Sequence, residues 1–121
     1  MTSVSVKEPL SYLALSNTVR SAVTTWAKTL ANEIGSHNVT VNNILTGFFN
    51  TERINELNSE KAKKLNIKIG EVFSAMENLV PLKRIGDPKE FAYLVTFLAS
   101  EEASYINGTN IPIDGGLLKS L

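Results

Sequence analysis

The chain has 121 residues, of which 43% are apolar and 20% charged, and its mean hydropathy is near zero. Twelve basic residues balance twelve acidic ones, so charge gives no reason to expect nucleic acid or an anionic membrane as a partner. The chain has no cysteine, which excludes disulfides and thiolate metal ligands, and it has no apolar run long enough to span a bilayer. These features predict one small globular domain in the cytoplasm.

The first part of the chain predicts one helix and one strand. Residues 1–9 alternate weakly and indicate a strand end or an arm. Apolar residues recur at three- and four-residue spacing over residues 11–35, which predicts an amphipathic helix. Trp26 lies at core spacing on it and is interpreted as an anchor in helix packing, with a subunit interface as the second interpretation. Residues 39–45 predict a short buried strand.

The second part predicts helices followed by a last strand. Residues 51–80 are polar and lysine-rich and predict a helical insertion. A capping box over residues 87–90 begins a helix predicted over 87–103. Its apolar residues fill more than one face, which predicts burial on two sides. Residues 109–113 predict the last strand, and Pro112 favours a sheet edge because it lacks a backbone donor.

This order of elements predicts an α/β fold with an incomplete sheet. A strand, a crossover helix and a second strand indicate a parallel pair. Two strands are too few for a stable open sheet, so one edge of the strand at 39–45 is expected to be bare. Because bare edges are usually paired or covered, this favours a homodimer or larger assembly, or a chain that is part of a larger domain.

Two segments of the chain carry specific motifs: VPLKRIGDPKEFAYLVTFLASEEASYINGTNIPIDGG, residues 80–116, and VTVNNILTGFFNT, residues 39–51. The first is similar to the ending of the short-chain dehydrogenase/reductase family, and the second is similar to the family's sixth strand and the turn that follows. The chain therefore resembles the C-terminal half of that family. The resemblance covers essentially the whole chain. It implies the last two strands of a Rossmann-like sheet with their flanking helices, as one C-terminal segment over residues 1–121.

The resemblance also implies where the family's site residues fall. The catalytic tyrosine and lysine, which are separated by three residues, fall on Ser16 and Arg20, and the catalytic serine falls on Ser3. No residue is assigned to a metal. The family-equivalent cofactor positions are Thr46, Gly47, Phe49 and Thr51.

The two replacements predict that the family chemistry is disabled at its proton donor. A tyrosine phenol has a pKa of about 10, whereas a serine hydroxyl is a far weaker acid. Arg20 keeps a positive charge but stays protonated, so it cannot relay a proton. Ser16 and Arg20 are alternatively ordinary residues of a helix, and Tyr12 is a substitute donor one helical turn away. His37, the sole histidine, is interpreted as a solvated loop residue.

Three functional hypotheses follow. None of the seven glycines forms the glycine-rich turn that holds a dinucleotide pyrophosphate, so the first hypothesis is a truncated, catalytically inactive protein that keeps its oligomerisation surfaces and holds no cofactor alone. The second is part of an NAD- or NADP-dependent oxidoreductase, acting on a carbonyl or alcohol such as a sugar when joined to an N-terminal nucleotide-binding half. The third is a binding partner of intact family members.

Overall fold

The computed structural model describes residues 1–120 and contains a sheet of three parallel strands with flanking helices. The elements in chain order are β1 (Thr2–Ser3), α1 (Ala14–Ile34), β2 (Asn43–Thr46), α2 (Glu52–Leu65), α3 (Ile69–Leu79), α4 (Pro88–Leu98) and β3 (Asn110–Ile113). Single 3₁₀ turns follow β1, α1 and α4, at Val4–Val6, Gly35–His37 and Glu101–Ala103. The predicted α/β fold with an incomplete parallel sheet of the Rossmann-like type is therefore confirmed.

The sheet has one strand more than the sequence predicted. Its order is β1-β2-β3, with Ser3 opposite Thr46 on one side and Asn43 opposite Asn110 on the other. The expectation of a bare edge on the strand at 39–45 is corrected in part, because the two-residue strand β1 pairs with Leu45 and Thr46 of β2 and with no other residue of it. Within residues 1–120, the outer sides of β1 and β3 are also unpaired.

The core lies around β2 and beneath the helical insertion. Leu45, at the centre of the sheet, is 0% exposed, and Val72 of α3 and Val80 are also buried. Thr2 of β1 is buried beside them, and its Oγ1 has no hydrogen-bond partner within residues 1–120. Burying a hydroxyl without a partner costs about 1–3 kcal/mol.

The strand β2 begins later than residue 39 because side-chain amides bind the backbone that precedes it. Asn107 Oδ1 accepts a hydrogen bond from the Val41 N–H at 2.9 Å, and its Nδ2 donates to the Ala31 carbonyl at 3.0 Å. The Gly108 N–H donates to the Val41 carbonyl at 2.9 Å. These bonds fasten α1, the approach to β2 and the turn before β3 together, in place of a strand ladder.

The long helix α1 begins at Ala14 because the residues before it are not helical. Tyr12 has φ 65° and Leu13 has φ −122° and ψ 35°. The buried residues of α1 are Ala27 and Ala31. No helix within the described part of the chain is long and apolar enough to cross a membrane.

Two helix faces that the sequence assigned to the core are open. Trp26 is 62% exposed, so the interpretation as a core anchor is wrong, and the interface interpretation remains. Helix α4 ends at Leu98 and has no buried residue, although burial on two sides was predicted. An apolar stripe on α1, defined here as the α1 stripe, consists of Leu15, Val19, Val23 and Trp26, all of them exposed.

The C-terminal segment is tied to the N-terminal one by a carboxylate. Glu8 Oε1 accepts hydrogen bonds from the backbone N–H groups of Lys119 at 2.8 Å and Ser120 at 2.9 Å. The bond from Lys119, followed by that from Ser120, lowers the pKa of Glu8 below its ordinary value, because each stabilises the charged form.

Candidate functional site

A cleft of about 370 Å³ opens where β2 ends. In parallel sheets the carboxyl ends of the strands point to one edge, and ligands bind there. Arg20 reaches the cleft from α1, while the segment from β2 to α2 forms much of its wall. The lining residues are Met1, Arg20, Thr46, Gly47, Phe49, Thr51, Arg53, Ile54, Pro88 and Phe91. All four predicted cofactor positions therefore lie around one cavity.

The end of β2 is fixed on both sides by its neighbours. Thr46 Oγ1 donates to the Thr2 carbonyl at 3.1 Å, and the Gly47 N–H donates to the Ile113 carbonyl at 3.1 Å. A Cβ on Gly47 would lie 2.7 Å from the Cβ of Asp114. Glycine is required here because the two strand ends approach too closely for a side chain.

Phe49 connects this segment to the loop before α4. It forms an isolated parallel bridge with Gly86, and a Cβ on Gly86 would lie 2.8 Å from Cε1 of the Phe49 ring. The rings of Phe49 and Phe91 meet edge to face, with centroids 6.2 Å apart and an interplanar angle of 82°. This geometry is favourable for aromatic pairs and forms the apolar floor of the cleft.

Thr51 begins α2. Its Oγ1 accepts a hydrogen bond from the Ile54 N–H at 3.4 Å, which makes it the N-cap of the helix. The hydroxyl proton is not used in that bond, so the same group can cap the helix and donate to a ligand in the cleft. The sequence reasoning assigned Thr51 through family resemblance and did not detect the cap.

Ser16 and Arg20 lie one turn apart on α1 and contact each other. Arg20 Nε donates to Ser16 Oγ at 3.2 Å, and both residues are half-buried. Arg20 lines the cleft and also an adjacent groove between α1 and the start of the chain, where Ser16 lies. Because the guanidinium donates to Oγ, the serine proton remains available for an acceptor such as a carbonyl oxygen.

Ser3 lies near this pair in the sheet but is used locally. Its backbone is opposite Thr46, while its Oγ accepts from the Ser5 N–H at 3.2 Å and caps the 3₁₀ turn. Ser3 does not line the cleft, so Arg20 is the member of the predicted catalytic set that meets the four cofactor positions there.

The remaining candidates from the sequence lie elsewhere. Tyr12 is fully exposed, with a positive φ, and does not line the cleft. His37 contacts Ser36 in the exposed turn after α1, where Nδ1 and the serine Oγ are 3.3 Å apart. No cluster of three or more histidine, aspartate or glutamate side chains within residues 1–120 has the geometry of a metal site.

Sequence reasoning missed Arg53. It lies in the first turn of α2 and lines the cleft, where it adds a second positive charge to that of Arg20. A signal was present, since Arg53 follows the cofactor-position threonine by two residues. Glu56 follows three residues later, and this spacing is also typical of an ordinary surface ion pair.

An ion pair outside the cleft holds the start of α4, which lines one side of the cleft. Arg84 binds Glu90 through two contacts of 2.7 Å, and Glu90 also accepts from the Asp87 N–H at 2.8 Å. These contacts, first the Arg84 hydrogen bonds, lower the pKa of Glu90 to about 2. The pair anchors the start of α4, which brings Pro88 and Phe91 to the cleft.

Comparison with known proteins identifies relatives of this chain. A family model described as enoyl-(acyl carrier protein) reductase matches residues 1–118. The NADPH-dependent reductase BacG of Bacillus subtilis is 36% identical over 115 residues, which cover 95% of this chain and 44% of BacG. The 3-oxoacyl-[acyl-carrier-protein] reductase FabG of Vibrio cholerae is 37% identical over 98 residues, covering 81% of this chain and 36% of FabG.

Solved structures give the same result. The L-sorbose reductase of Gluconobacter frateurii, complexed with NADPH and L-sorbose, superimposes with a TM-score of 0.94 at 31% identity. The match covers 99% of this chain and 46% of that reductase. A short-chain dehydrogenase family protein of Francisella tularensis superimposes with a TM-score of 0.93 at 28% identity, over 96% of this chain and 48% of that one. The chain therefore spans about half the length of the relatives it matches.

Proposed function

The chain belongs to the short-chain dehydrogenase/reductase family, and from that premise we propose that it forms one wall of the active site of an NAD(P)H-dependent carbonyl reductase. We propose further that the 121 residues do not catalyse hydride transfer alone. The observation that carries this proposal is the cleft itself. Arg20 and the turn from Thr46 to Thr51 surround one cavity at the carboxyl end of β2.

The residues of the cleft fit part of a nicotinamide dinucleotide. Thr51 has a hydroxyl proton to donate, and Gly47 brings the backbone close to the cavity without a side chain. When bound, the nicotinamide would supply the hydride. The sequence of the chain contains no glycine-rich strand-to-helix turn for the pyrophosphate, so these residues would hold one end of the cofactor while a nucleotide-binding half holds the other.

Ser16 and Arg20 would act on the substrate by hydrogen bonding rather than by proton relay. The serine hydroxyl donates to a carbonyl oxygen while Arg20 holds Oγ in place and stabilises negative charge that develops there. A serine hydroxyl is a far weaker acid than a phenol, and a guanidinium does not release a proton in proteins, so neither group serves as a general acid near neutrality. A reductase completed in this way would therefore rely on water for the proton and work slowly.

The uncovered surfaces support completion by another half or by other copies. The outer edge of β1 is unpaired within residues 1–120, the Thr2 hydroxyl is buried without a partner, and the α1 stripe is exposed next to it. A nucleotide-binding half that adds a parallel strand and a helix would cover all three features. The open faces of α4 and β3 remain for homo-oligomer contacts or for an intact family member.

We also propose that the protein is located in the cytoplasm.

The decisive experiment compares the chain alone with a completed form. In the completed form, the N-terminal part of BacG that this chain does not match is fused upstream of Met1. We expect the chain alone to show no saturable NADPH binding by fluorescence, whereas the fusion binds NADPH and slowly reduces a test panel of carbonyl compounds. The BacG segment alone is the control.

Two outcomes would overturn the proposal. In the first, the purified 121-residue chain oxidises NADPH in stoichiometric proportion to the carbonyl compound consumed. In the second, the fusion folds cooperatively but a Thr51→Ala variant binds NADPH as tightly as the parent, which would remove the cleft from cofactor binding.

A further inference from the structure

The charged side chains that line the cleft are both positive. They are Arg20 and Arg53, and no carboxylate within residues 1–120 lines the cleft, although Glu56 pairs with Arg53 from outside it. The 14-residue helix α2 has its N-terminus at the same cavity, next to its N-cap Thr51. The helix dipole adds a partial positive charge there. Three sources of positive potential therefore converge on one small volume.

Arg20 has donors left for a ligand. Its Nε is used by Ser16, at 3.2 Å, and this contact fixes one side of the guanidinium. A guanidinium has five N–H donors in a planar fork, so a fixed Nε leaves the terminal nitrogens oriented for a second acceptor.

The ion pair of Arg53 is weak enough for a ligand to replace it. Its NH1 approaches Glu56 Oε2 at 3.3 Å, and the two side chains are 72% and 57% exposed. Exposed pairs of this kind contribute about 0–1 kcal/mol. An anion in the cleft, desolvated by the apolar floor, would compete with Glu56 for this guanidinium.

The remainder of the lining is apolar. Phe49 and Phe91 form the floor, with Ile54 and Pro88 beside them. A volume of about 370 Å³ is near the lower end of the range of about 300–1,000 Å³ typical of small-molecule sites. Such a cleft suits a compact ligand with an apolar body and one anionic group.

We propose that Arg53, together with Arg20, selects carbonyl substrates that carry a carboxylate or phosphate group on an apolar body. This inference rests on the proposed function and names the substrate class of the same cleft. Guanidinium groups bind carboxylates and phosphates through paired hydrogen bonds, which gives both affinity and orientation. The phosphates of the cofactor are the alternative source of the same chemistry, and the test separates the two.

The test is a titration of the full ¹⁵N-labelled chain, followed by amide chemical shifts. The probe is 4-oxo-4-phenylbutanoate, and its methyl ester is the neutral control of nearly the same shape. We expect the acid to shift the amides of residues 46–54 and to bind about tenfold more tightly than the ester, as a charge-assisted hydrogen bond predicts. Arg53→Gln should remove this difference, and Arg53→Lys should keep part of it.

Lys61→Gln is the matched control, because Lys61 is an exposed cation on the same helix that does not line the cleft. It should leave binding of the acid unchanged. The inference is overturned if the acid and the ester bind equally, or if Lys61→Gln weakens the acid as much as Arg53→Gln does. It is also overturned if NADPH or inorganic phosphate binds in an Arg53-dependent way while the acid does not, since the site would then serve a cofactor phosphate.

The result is separable from that for the proposed function. The acid could bind to the chain in an Arg53-dependent way while the BacG fusion is inactive. That result would support the anion site and reject the proposed reductase function. An active fusion that reduces the acid and its ester equally well, and in which Arg53→Gln changes neither rate, would retain the reductase and reject the role of Arg53.

Discussion

The two sides of β2 differ in how completely they are built. Towards β3, the strand ends are so close that Gly47 cannot carry a side chain, and Asn107 fastens the strand starts with its amide. Towards β1, the sheet stops after two residues, the Thr2 hydroxyl has no partner within residues 1–120, and the α1 stripe faces outwards. The contact between β2 and β3 is complete along the whole of β2, whereas the contact between β2 and β1 covers two residues only. Substitutions on the β3 side should therefore affect folding, and substitutions on the β1 side should affect association.

The largest effect is expected from removing the centre of the core. Leu45→Ala should lower the free energy of unfolding by about 2–5 kcal/mol, because Leu45 is fully buried and the site cannot collapse around a smaller residue. Leu15→Ala, the same change on the α1 stripe, should stay within about 0.5 kcal/mol, since Leu15 is 79% exposed. Urea denaturation measures both, and equal effects would contradict the contrast between the buried centre of the sheet and the open α1 stripe.

The turn after β3 should be the next most sensitive position. Gly115 has φ 65°, and a Cβ there would lie 2.6 Å from Val80 Cγ1. Gly115→Ala should therefore lower the free energy of unfolding by about 1–3 kcal/mol through backbone strain and overpacking. The control is Gly70→Ala in α3, where a Cβ meets nothing within 4 Å. It should be neutral or stabilising by up to about 1 kcal/mol, and if it destabilised as much as Gly115→Ala, the steric explanation would fail.

The α1 stripe should control association without controlling folding. We expect sedimentation of the wild-type chain at micromolar concentration to give a mass above that of a monomer. Val19→Asp should give the mass of a monomer, because a charge in an apolar contact must be desolvated. The thermal midpoints of the two should be similar. Ser21→Asp, about 200° around the same helix, should leave the mass unchanged. A monomeric wild-type chain would contradict this prediction.

The smallest expected effect is that of pH on the free energy of unfolding. Glu90 has a pKa of about 2 in the folded chain, against an ordinary value of 4.5, chiefly because of Arg84. A lowered folded pKa means that this contribution to stability is complete above pH 4.5 and is lost as the pH falls towards 2. Glu90→Gln should flatten that part of a plot of unfolding free energy against pH. Because both side chains are substantially exposed, the change should be small and should diminish further in high salt.

The parts of the fold that were predictable from the sequence are those with strong local signals. The capping box predicted at residues 87–90 is present at the start of α4. The sequence indicated a strand end or an arm within residues 1–9, but it could not indicate how β1 pairs, because the partners of β1 lie more than 40 positions away at Leu45 and Thr46. Periodicity marked Trp26 as part of an apolar face, but it cannot state whether that face is covered by the same chain.

The candidate site was also predictable only in part. Family resemblance located the turn from Thr46 to Thr51, which does line the cleft. The contact between Ser16 and Arg20 follows from their four-residue spacing on a helix. The capping role of Ser3 is a local contact with the Ser5 N–H that family resemblance did not indicate. The spacing of Arg53 from Thr51 was a signal in the sequence, but its position at the cleft depends on how separate segments meet.

The amide that fastens the strand starts also limits the chemical lifetime of the protein. Asn107 is followed by glycine, the pairing in which backbone attack on the side-chain amide and loss of ammonia is easiest. In the folded chain both groups are restrained, since the amide binds Val41 and Ala31, and the attacking Gly108 nitrogen donates to the Val41 carbonyl. Each excursion to the unfolded state releases them, and the resulting aspartate would face the Ala31 carbonyl with an acceptor where a donor had been. Slow deamidation would thus convert repeated reversible unfolding into permanent damage.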